Sequence, residues 1–152
     1  MQVSEVMAAP PVCVAPHDSL AEATRLMVES AVGSLLVIRD GAVCGIVTDR
    51  DIAVRGMGGG LDREARVDAV MSARVVAVEA DDDLDMAYRT FRRTGVRRLP
   101  VLREGEAVGV LTIDDLFLDV LGRLADLLGP VSWSVLQEPP EPPSAVVPSH
   151  KP

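Results

Sequence analysis

The feature that most limits what this chain can fold into is that it says the same thing twice. Gly45-Ile46-Val47-Thr48-Asp49-Arg50-Asp51 returns 64 positions later as Gly109-Val110-Leu111-Thr112-Ile113-Asp114-Asp115. Both copies read as an apolar strand running through a threonine into an acidic helix start. Val3 to Ile52 lies over Val67 to Leu116 without insertion or deletion, and 18 of the 50 pairs are identical. Unrelated segments of ordinary composition agree at roughly 6 to 10% of positions. The chain is therefore an internal duplication, and its two copies are expected to pack together.

Each copy reads in the same order. Val3 to Met7 is an apolar lead-in broken by Pro10-Pro11, and Val12 to Val14 is a short strand. Pro16-His17-Asp18-Ser19 supplies turn and cap chemistry for a helix with Leu20, Ala23, Met27 and Ala31 on one face and Glu22, Arg25 and Glu29 on the other. Ser34 to Arg39 and Ala42 to Val47 are β formers joined at Asp40-Gly41, a hairpin signal, and Thr48-Asp49 opens a second helix through about Arg55. The unit is β-α-β-β-α. The second copy gives a strand at Val75 to Val78, a helix from Asp82-Asp83 to about Arg93, a hairpin from Leu99 to Leu111 turning at Glu104-Gly105, and a helix from Asp114.

Organisation follows: repeat 1 over 1–56, a linker over 57–66, repeat 2 over 67–130 and a tail over 131–152. Gly56-Met57-Gly58-Gly59-Gly60 follows a helix and has no lysine after it, so it reads as a connection and not as a phosphate loop. The last helix carries Leu116, Val120, Leu121, Leu124, Leu127 and Leu128 and is expected to stop at Gly129-Pro130. Its stripe reads as intramolecular core or, given its excess length, as a dimer contact. Trp133 is expected to anchor the last ordered turn, and the proline-rich run from Glu138 is expected to be disordered.

Charge and composition exclude several classes. With 48% hydrophobic and 25% charged residues the chain can bury a substantial core, and its net charge of -8 argues against general affinity for nucleic acid or an anionic membrane. No apolar run approaches a membrane span and no basic-then-apolar signal opens the chain, so the expected location is the cytoplasm. Cys13 and Cys44 read as reduced, half-buried strand residues, and neither they nor His17 and His150 form a metal cluster. The acidic run Asp81 to Asp85 reads as a solvated cap. No catalytic constellation appears, and an enzyme is not expected.

Two β-α-β-β-α units, each with a strand ending in Gly, two apolar residues and Thr-x-x-Asp, resemble the CBS domain in its tandem arrangement, the Bateman module. Met7 and Met71 and the Leu-Pro-Val of Leu99 to Val101 belong to the same resemblance, which covers roughly residues 3 to 128. The small size is similar to stand-alone bacterial two-CBS proteins such as the hypoxic response type. The resemblance implies an α/β fold with two sheets packed in pseudo-twofold symmetry around two clefts. It implies an adenosyl ligand (AMP, ADP, ATP or S-adenosylmethionine), a homodimer and an unidentified client protein.

Carried onto this sequence, the resemblance makes Asp51 and Asp115 the ribose ligands, with Thr48 and Thr112 beside the sugar or phosphate. The chemistry suits that role, because a carboxylate one turn into a helix accepts both hydroxyls of a ribose and the helix start favours an anion. The bland alternative is that each Thr-x-x-Asp is a helix cap and nothing more. Arg97 and Arg98 stand where related sensors reach phosphates; otherwise they are a solvated basic edge. Thr48 and Asp51 are expected to share a cleft with Arg97 or Arg98, whereas Thr112 and Asp115 have mainly Arg50. Val12, Val32, Leu35, Val76, Val96 and Leu99 are the expected walls for adenine. Other readings of the chain are a ligand-independent scaffold with vestigial clefts, using the Leu116 to Leu128 face, and a redox-responsive protein using Cys13 and Cys44.

Overall fold

The apolar face of a three-stranded sheet is covered in each repeat by one amphipathic helix, and the two halves repeat this almost residue for residue. The computed structural model describes the backbone of residues 1–137 and the side chains of 1–130. Repeat 1 contains β1 (Cys13–Val14), α1 (Leu20–Ser30), β2 (Ser34–Arg39), β3 (Ala42–Thr48) and α2 (Asp49–Asp51). Repeat 2 contains β4 (Val78–Glu79), α3 (Leu84–Thr94), β5 (Arg98–Arg103), β6 (Glu106–Thr112) and α4 (Ile113–Gln137). Both sheets run in chain order, the first pair of strands parallel and the second antiparallel. β1 and β4 are each two residues long, shorter than the apolar runs around them.

Local chemistry accounts for the elements. Ser19 caps α1 by accepting from the Glu22 N–H at 3.1 Å, and the helix buries Leu20, Ala23 and Met27. Asp83 caps α3, which buries Leu84, Ala87, Thr90 and Phe91. The hairpins turn on Asp40-Gly41 and Glu104-Gly105, with φ of 51° and 79° in the first and 52° and 83° in the second. A two-residue turn whose twist matches the strands needs positive φ at both positions, which glycine supplies without strain.

The lead-ins change partners. Val3, in a short 3-10 turn (Val3–Glu5), is fully buried in the core of repeat 2 with Leu84, Leu99 and Leu111. Val67, in the equivalent turn (Val67–Ala69), is fully buried in the core of repeat 1 with Leu20, Leu35 and Val47. The hydrogen bonds are reciprocal. Val3 and Ser4 N–H groups donate to the Asp82 and Ala80 carbonyls, both at 2.9 Å, while those of Val67 and Asp68 donate to Asp18 and Pro16 at 2.8 and 3.0 Å. Each lead-in then crosses the other repeat's last strand at a glycine. A Cβ on Gly109 would lie 2.5 Å from Met7 Sδ, and one on Gly45 would lie 2.5 Å from Met71 Sδ. The paired methionines and glycines of the duplication are thus one contact made twice.

Several expectations are corrected. After α2 the chain does not continue as α-helix: Ile52–Met57 is a π-helical segment, with the Gly58 N–H donating to the Ala53 carbonyl at 3.0 Å. Gly56 belongs to it, buried where a Cβ would stand 3.1 Å from Leu20, so it is packed and not part of a loose linker. α4 passes through Pro130 to Gln137 and does not stop at Gly129-Pro130. Proline removes one hydrogen bond, and its clash with the preceding Cβ is absent because that residue is Gly129. Cys13 is exposed and Cys44 half-buried, both free, so the first is not the half-buried strand residue expected. It falls on the face of β1 that α1 does not cover. Leu116 is buried, but Val120 to Leu128 are not core: their large apolar side chains are exposed. The tail from Glu138 and the Trp133 side chain lie outside the described residues. Residues Met1–Phe117 form one unit, and a second begins at Leu118. Among the described residues no helix is long and apolar enough to cross a membrane.

Candidate functional site

The exchanged lead-ins are what build the site. Ile46 in β3 and Ser72 in the second lead-in trade backbone hydrogen bonds at 3.0 and 2.9 Å, which lays repeat 2's entry segment beside repeat 1's last strand. Between them opens a cleft of about 140 Å³ lined by Ile46, Thr48, Asp51, Ser72, Arg74, Val76, Val96, Arg97 and Arg98. Thr48, Asp51, Val76, Val96, Arg97 and Arg98 are thereby brought together, from residues up to 50 apart in the chain. Arg74 was not expected there. Its only sequence signal is a basic residue late in the second lead-in, and the Ile46–Ser72 bridge is what gives it meaning.

At the floor, Thr48 and Asp51 form a reciprocal capping box. The Asp51 N–H donates to Thr48 Oγ1 at 3.1 Å, and the Thr48 N–H donates to Asp51 Oδ2 at 2.9 Å. The cap uses only half of each side chain: the threonine hydroxyl still has its proton to give, and Asp51 Oδ1 still has lone pairs. The cation nearest to Oδ1 among the ion pairs is Arg55, whose Nε stands 4.0 Å away. Arg55 also donates to the Val70 carbonyl at 3.2 Å, tying the π-helical segment to the second lead-in. Capping and ligand binding are compatible uses of the same two residues. Arg74 and Arg97 are exposed and Arg98 half-buried, so three arginines and one carboxylate line the same cleft. The cleft is locally cationic in a chain of net charge -8.

The second copy repeats the floor and not the rim. The Thr112 N–H donates to Asp115 Oδ2 at 2.8 Å, and the Asp115 N–H donates to Thr112 Oγ1 at 3.1 Å. Ala8 and Val110 exchange backbone bonds at 2.9 and 3.0 Å, as Ser72 and Ile46 do. The positions 64 residues from Arg74, Arg97 and Arg98 are Pro10, Gly33 and Ser34, none of them basic. Arg50 is exposed, its backbone N–H donating to Asp49 Oδ1 at 2.8 Å, and it does not line the first cleft. Val12 and Val32 pack against the core of repeat 1. Leu35 and Leu99 are 1% and 0% exposed, so they are core residues and not walls: on β2 and β5 they point to the face that the helices cover.

A second kind of surface lies on the outer side of repeat 1. An apolar cavity of about 510 Å³ is lined by Leu20, Ala21, Thr24, Ile52, Met57, Leu61, Asp62 and Arg63. It shares Thr24, Ile52 and Met57 with a neighbouring one of about 330 Å³. Among the described residues no group of three or more His, Cys, Asp and Glu side chains is placed to hold a metal ion.

The CBS domain-containing protein YhcV of Bacillus subtilis is 32% identical over 121 residues, covering 80% of this chain and 86% of its own. Hypoxic response protein 1 of Mycobacterium tuberculosis is 31% identical over 114 residues, covering 74% and 80%. A crystal structure of Hypoxic Response Protein I with two coordinated zinc ions superposes with a TM-score of 0.68 at 30% identity, over 76% of this chain and 96% of that one. The CBS domain pair of protein MJ0100, solved with 5-methylthioadenosine and S-adenosyl-L-methionine, gives a TM-score of 0.72 over 81% and 98%, and at 20% identity shares the fold alone. The model of the CBS domain matches residues 3–57 and again 67–122, the two halves whose lead-ins, capping boxes and hairpins correspond above, and the chain therefore belongs to the CBS-domain family as a tandem pair.

Proposed function

We propose that the chain is a non-catalytic regulatory module that binds an adenine nucleotide in the cleft of Thr48, Asp51, Arg74, Arg97 and Arg98. The observation that carries this reading is the cleft itself: a carboxylate with one oxygen to spare, fixed by its cap, beside three arginines. Asp51 Oδ1 takes the ribose hydroxyls, the Thr48 hydroxyl donates to the sugar or phosphate, and the guanidinium groups pair with phosphate oxygens. Val76 and Val96 offer apolar wall to the base. Adenosyl ligands in the MJ0100 pair are in keeping with this use of the fold.

The cleft volume, about 140 Å³, is below the roughly 300 Å³ of common small-molecule pockets. A nucleotide therefore widens the cleft as it enters. Widening it moves the second lead-in relative to β3, and a client protein that senses that change receives the signal. The ligand shifts this equilibrium only by its differential affinity for the two arrangements. A cleft at Thr112 and Asp115, where the equivalents of the three arginines are Pro10, Gly33 and Ser34 and the expected cation is Arg50, takes an adenosyl ligand carrying less negative charge, or none. The module acts in the cytoplasm and as a homodimer.

A scaffold function is the second reading, favoured by the outer groove of repeat 1, beside which Val28 and Met57 are 76% and 78% exposed. Calorimetric titration with AMP, ADP, ATP, S-adenosylmethionine and GTP, with and without magnesium, separates the two. Saturable, adenine-selective binding is expected, tightest for the phosphorylated ligands. Absence of binding across the panel would sink the nucleotide reading and leave the groove.

A further inference from the structure

We infer that the later part of α4 is a self-association seam, in which Leu121, Leu124 and Leu128 interlock with the same residues of a second copy. The inference deepens the homodimer reading above and rests on it, while being independent of the clefts.

The duplicated core does not require this stretch. Met57 closes the π-helical segment of repeat 1 and corresponds to Leu121, so the helix beyond Leu121 has no counterpart in the other half. The match to the CBS domain ends at residue 122. Yet α4 continues to Gln137, and the part with described side chains displays Leu118, Val120, Leu121, Leu124, Leu127 and Leu128 at 38 to 69% exposure.

Their spacing is that of a helix meeting another helix. Phe117, Leu121, Leu124 and Leu128 alternate steps of four and three, and the sequence continues the alternation to Val131 and Val135. A sustained mean step of 3.5 residues keeps one seam facing a partner helix along its length. The positions flanking the seam, Leu118, Val120, Ala125 and Leu127, are apolar instead of charged, so nothing there selects an oppositely charged partner. The charged residues Asp119, Arg123 and Asp126 fall on the opposite side, where Asp119 and Arg123 pair at 2.9 Å. An identical helix is the occupant that matches such a face on both sides of the contact.

Area agrees. At roughly 100 Å² of exposed surface per side chain, six residues offer about 600 Å² per copy and about 1,200 Å² in the pair, which reaches the range of stable interfaces.

Light scattering on the full chain tests this, read beside calorimetry with ATP on the same samples. The parent is expected at twice the chain mass of 16.2 kDa. Leu124→Glu/Leu128→Glu is expected at the mass of one chain, its association weakened at least a hundredfold. Leu124→Ser/Leu128→Ser serves as a milder second variant, and circular dichroism verifies that both fold. A parent that is monomeric, or folded variants that keep the parent's mass, would overturn the seam. A parent that dimerises through these leucines yet binds no nucleotide supports the seam and removes the nucleotide reading instead.

Discussion

Two capping boxes are built alike and differ in the residues that surround them. Thr48 with Asp51 and Thr112 with Asp115 make the same pair of hydrogen bonds, to within 0.1 Å, and the lead-in crossings beside them match equally well. Arg74, Arg97 and Arg98 stand over the first box, and Pro10, Gly33 and Ser34 occupy the equivalent places at the second. The positions that satisfy backbone groups are the ones repeated, because a buried unpaired N–H is costly in either half. The positions that face an open cleft carry no such obligation. They diverge, and under the proposed function that divergence makes the two sites differ in ligand.

The sharpest way to break that contrast is at the charged rim. Replacing Arg97 and Arg98 by Ala is expected to weaken ATP binding by about two to four decades, since each charge-assisted contact contributes about 1.5 to 3 kcal/mol. Equal affinity in calorimetry would mean that the arginines are only a solvated edge. In the opposite direction, Ser34→Arg is expected to raise phosphate-ligand affinity at the second site.

Next in size is the shared architecture. Gly45→Val and Gly109→Val each force a side chain into a methionine and a carbonyl, Met71 and Ser72 in one case and Met7 and Ala8 in the other. Both are expected to cost about 2 to 3 kcal/mol in urea unfolding, and by similar amounts. A large difference between them would show that the two crossings are not equivalent. Only Gly45→Val should also impair nucleotide binding at the charged cleft.

Smaller again is the effect of single carboxylates. Asp51→Ala is expected to lower nucleotide affinity by one to two decades, and Asp115→Ala to leave the phosphorylated ligand's affinity within about twofold, though each removes half a cap worth roughly 1 kcal/mol of stability. If the two variants bind alike, the sites are not distinguished by charge. The least effect belongs to the lead-ins. Asp68 and its equivalent Ser4 occupy the same turn, but only Asp68 can form an ion pair: Arg66 bonds its side chain at 2.7 Å and holds its carboxyl below the ordinary value. A depressed carboxylate adds stability above its unfolded pKa and loses it as pH falls through the folded one. Asp68→Asn should therefore lower the urea midpoint slightly at pH 7 and converge with the parent in acid. A gap that persists at low pH would exclude the ion pair as its cause.

Much of this was legible in the residues. The offset of 64 placed both hairpins, both amphipathic helices and both Thr-x-x-Asp caps, because period, turn dipeptides and caps are local signals. The grouping of Thr48 and Asp51 with Arg97 and Arg98 was open to inference only through the family's two-repeat arrangement. Arg74 was not legible, since a lone arginine in a lead-in has no local signature. The π-helical segment was equally hidden: the spacing from Asp49 to Arg55 fits an ordinary helix, and the close approach of Gly56 to Leu20 is seen only in the folded chain. Gly129-Pro130 misled in the other direction, because a stop signal is a preference about local backbone and a glycine before the proline relieves the clash that enforces it.

By itself the sequence determined that the chain is two copies of one β-α-β-β-α unit, where each unit turns and which residues cap its helices. These rest on contacts between residues a few positions apart. Tertiary structure alone decided that each lead-in serves the other repeat, with Val3 in the core of repeat 2 and Val67 in the core of repeat 1, and hence which side chains meet across a cleft. The two lead-ins match each other in sequence, so no local preference distinguishes packing on one's own sheet from packing on the partner's. The exchange is visible only in the folded chain, where Met7 lies on Gly109 and Met71 on Gly45.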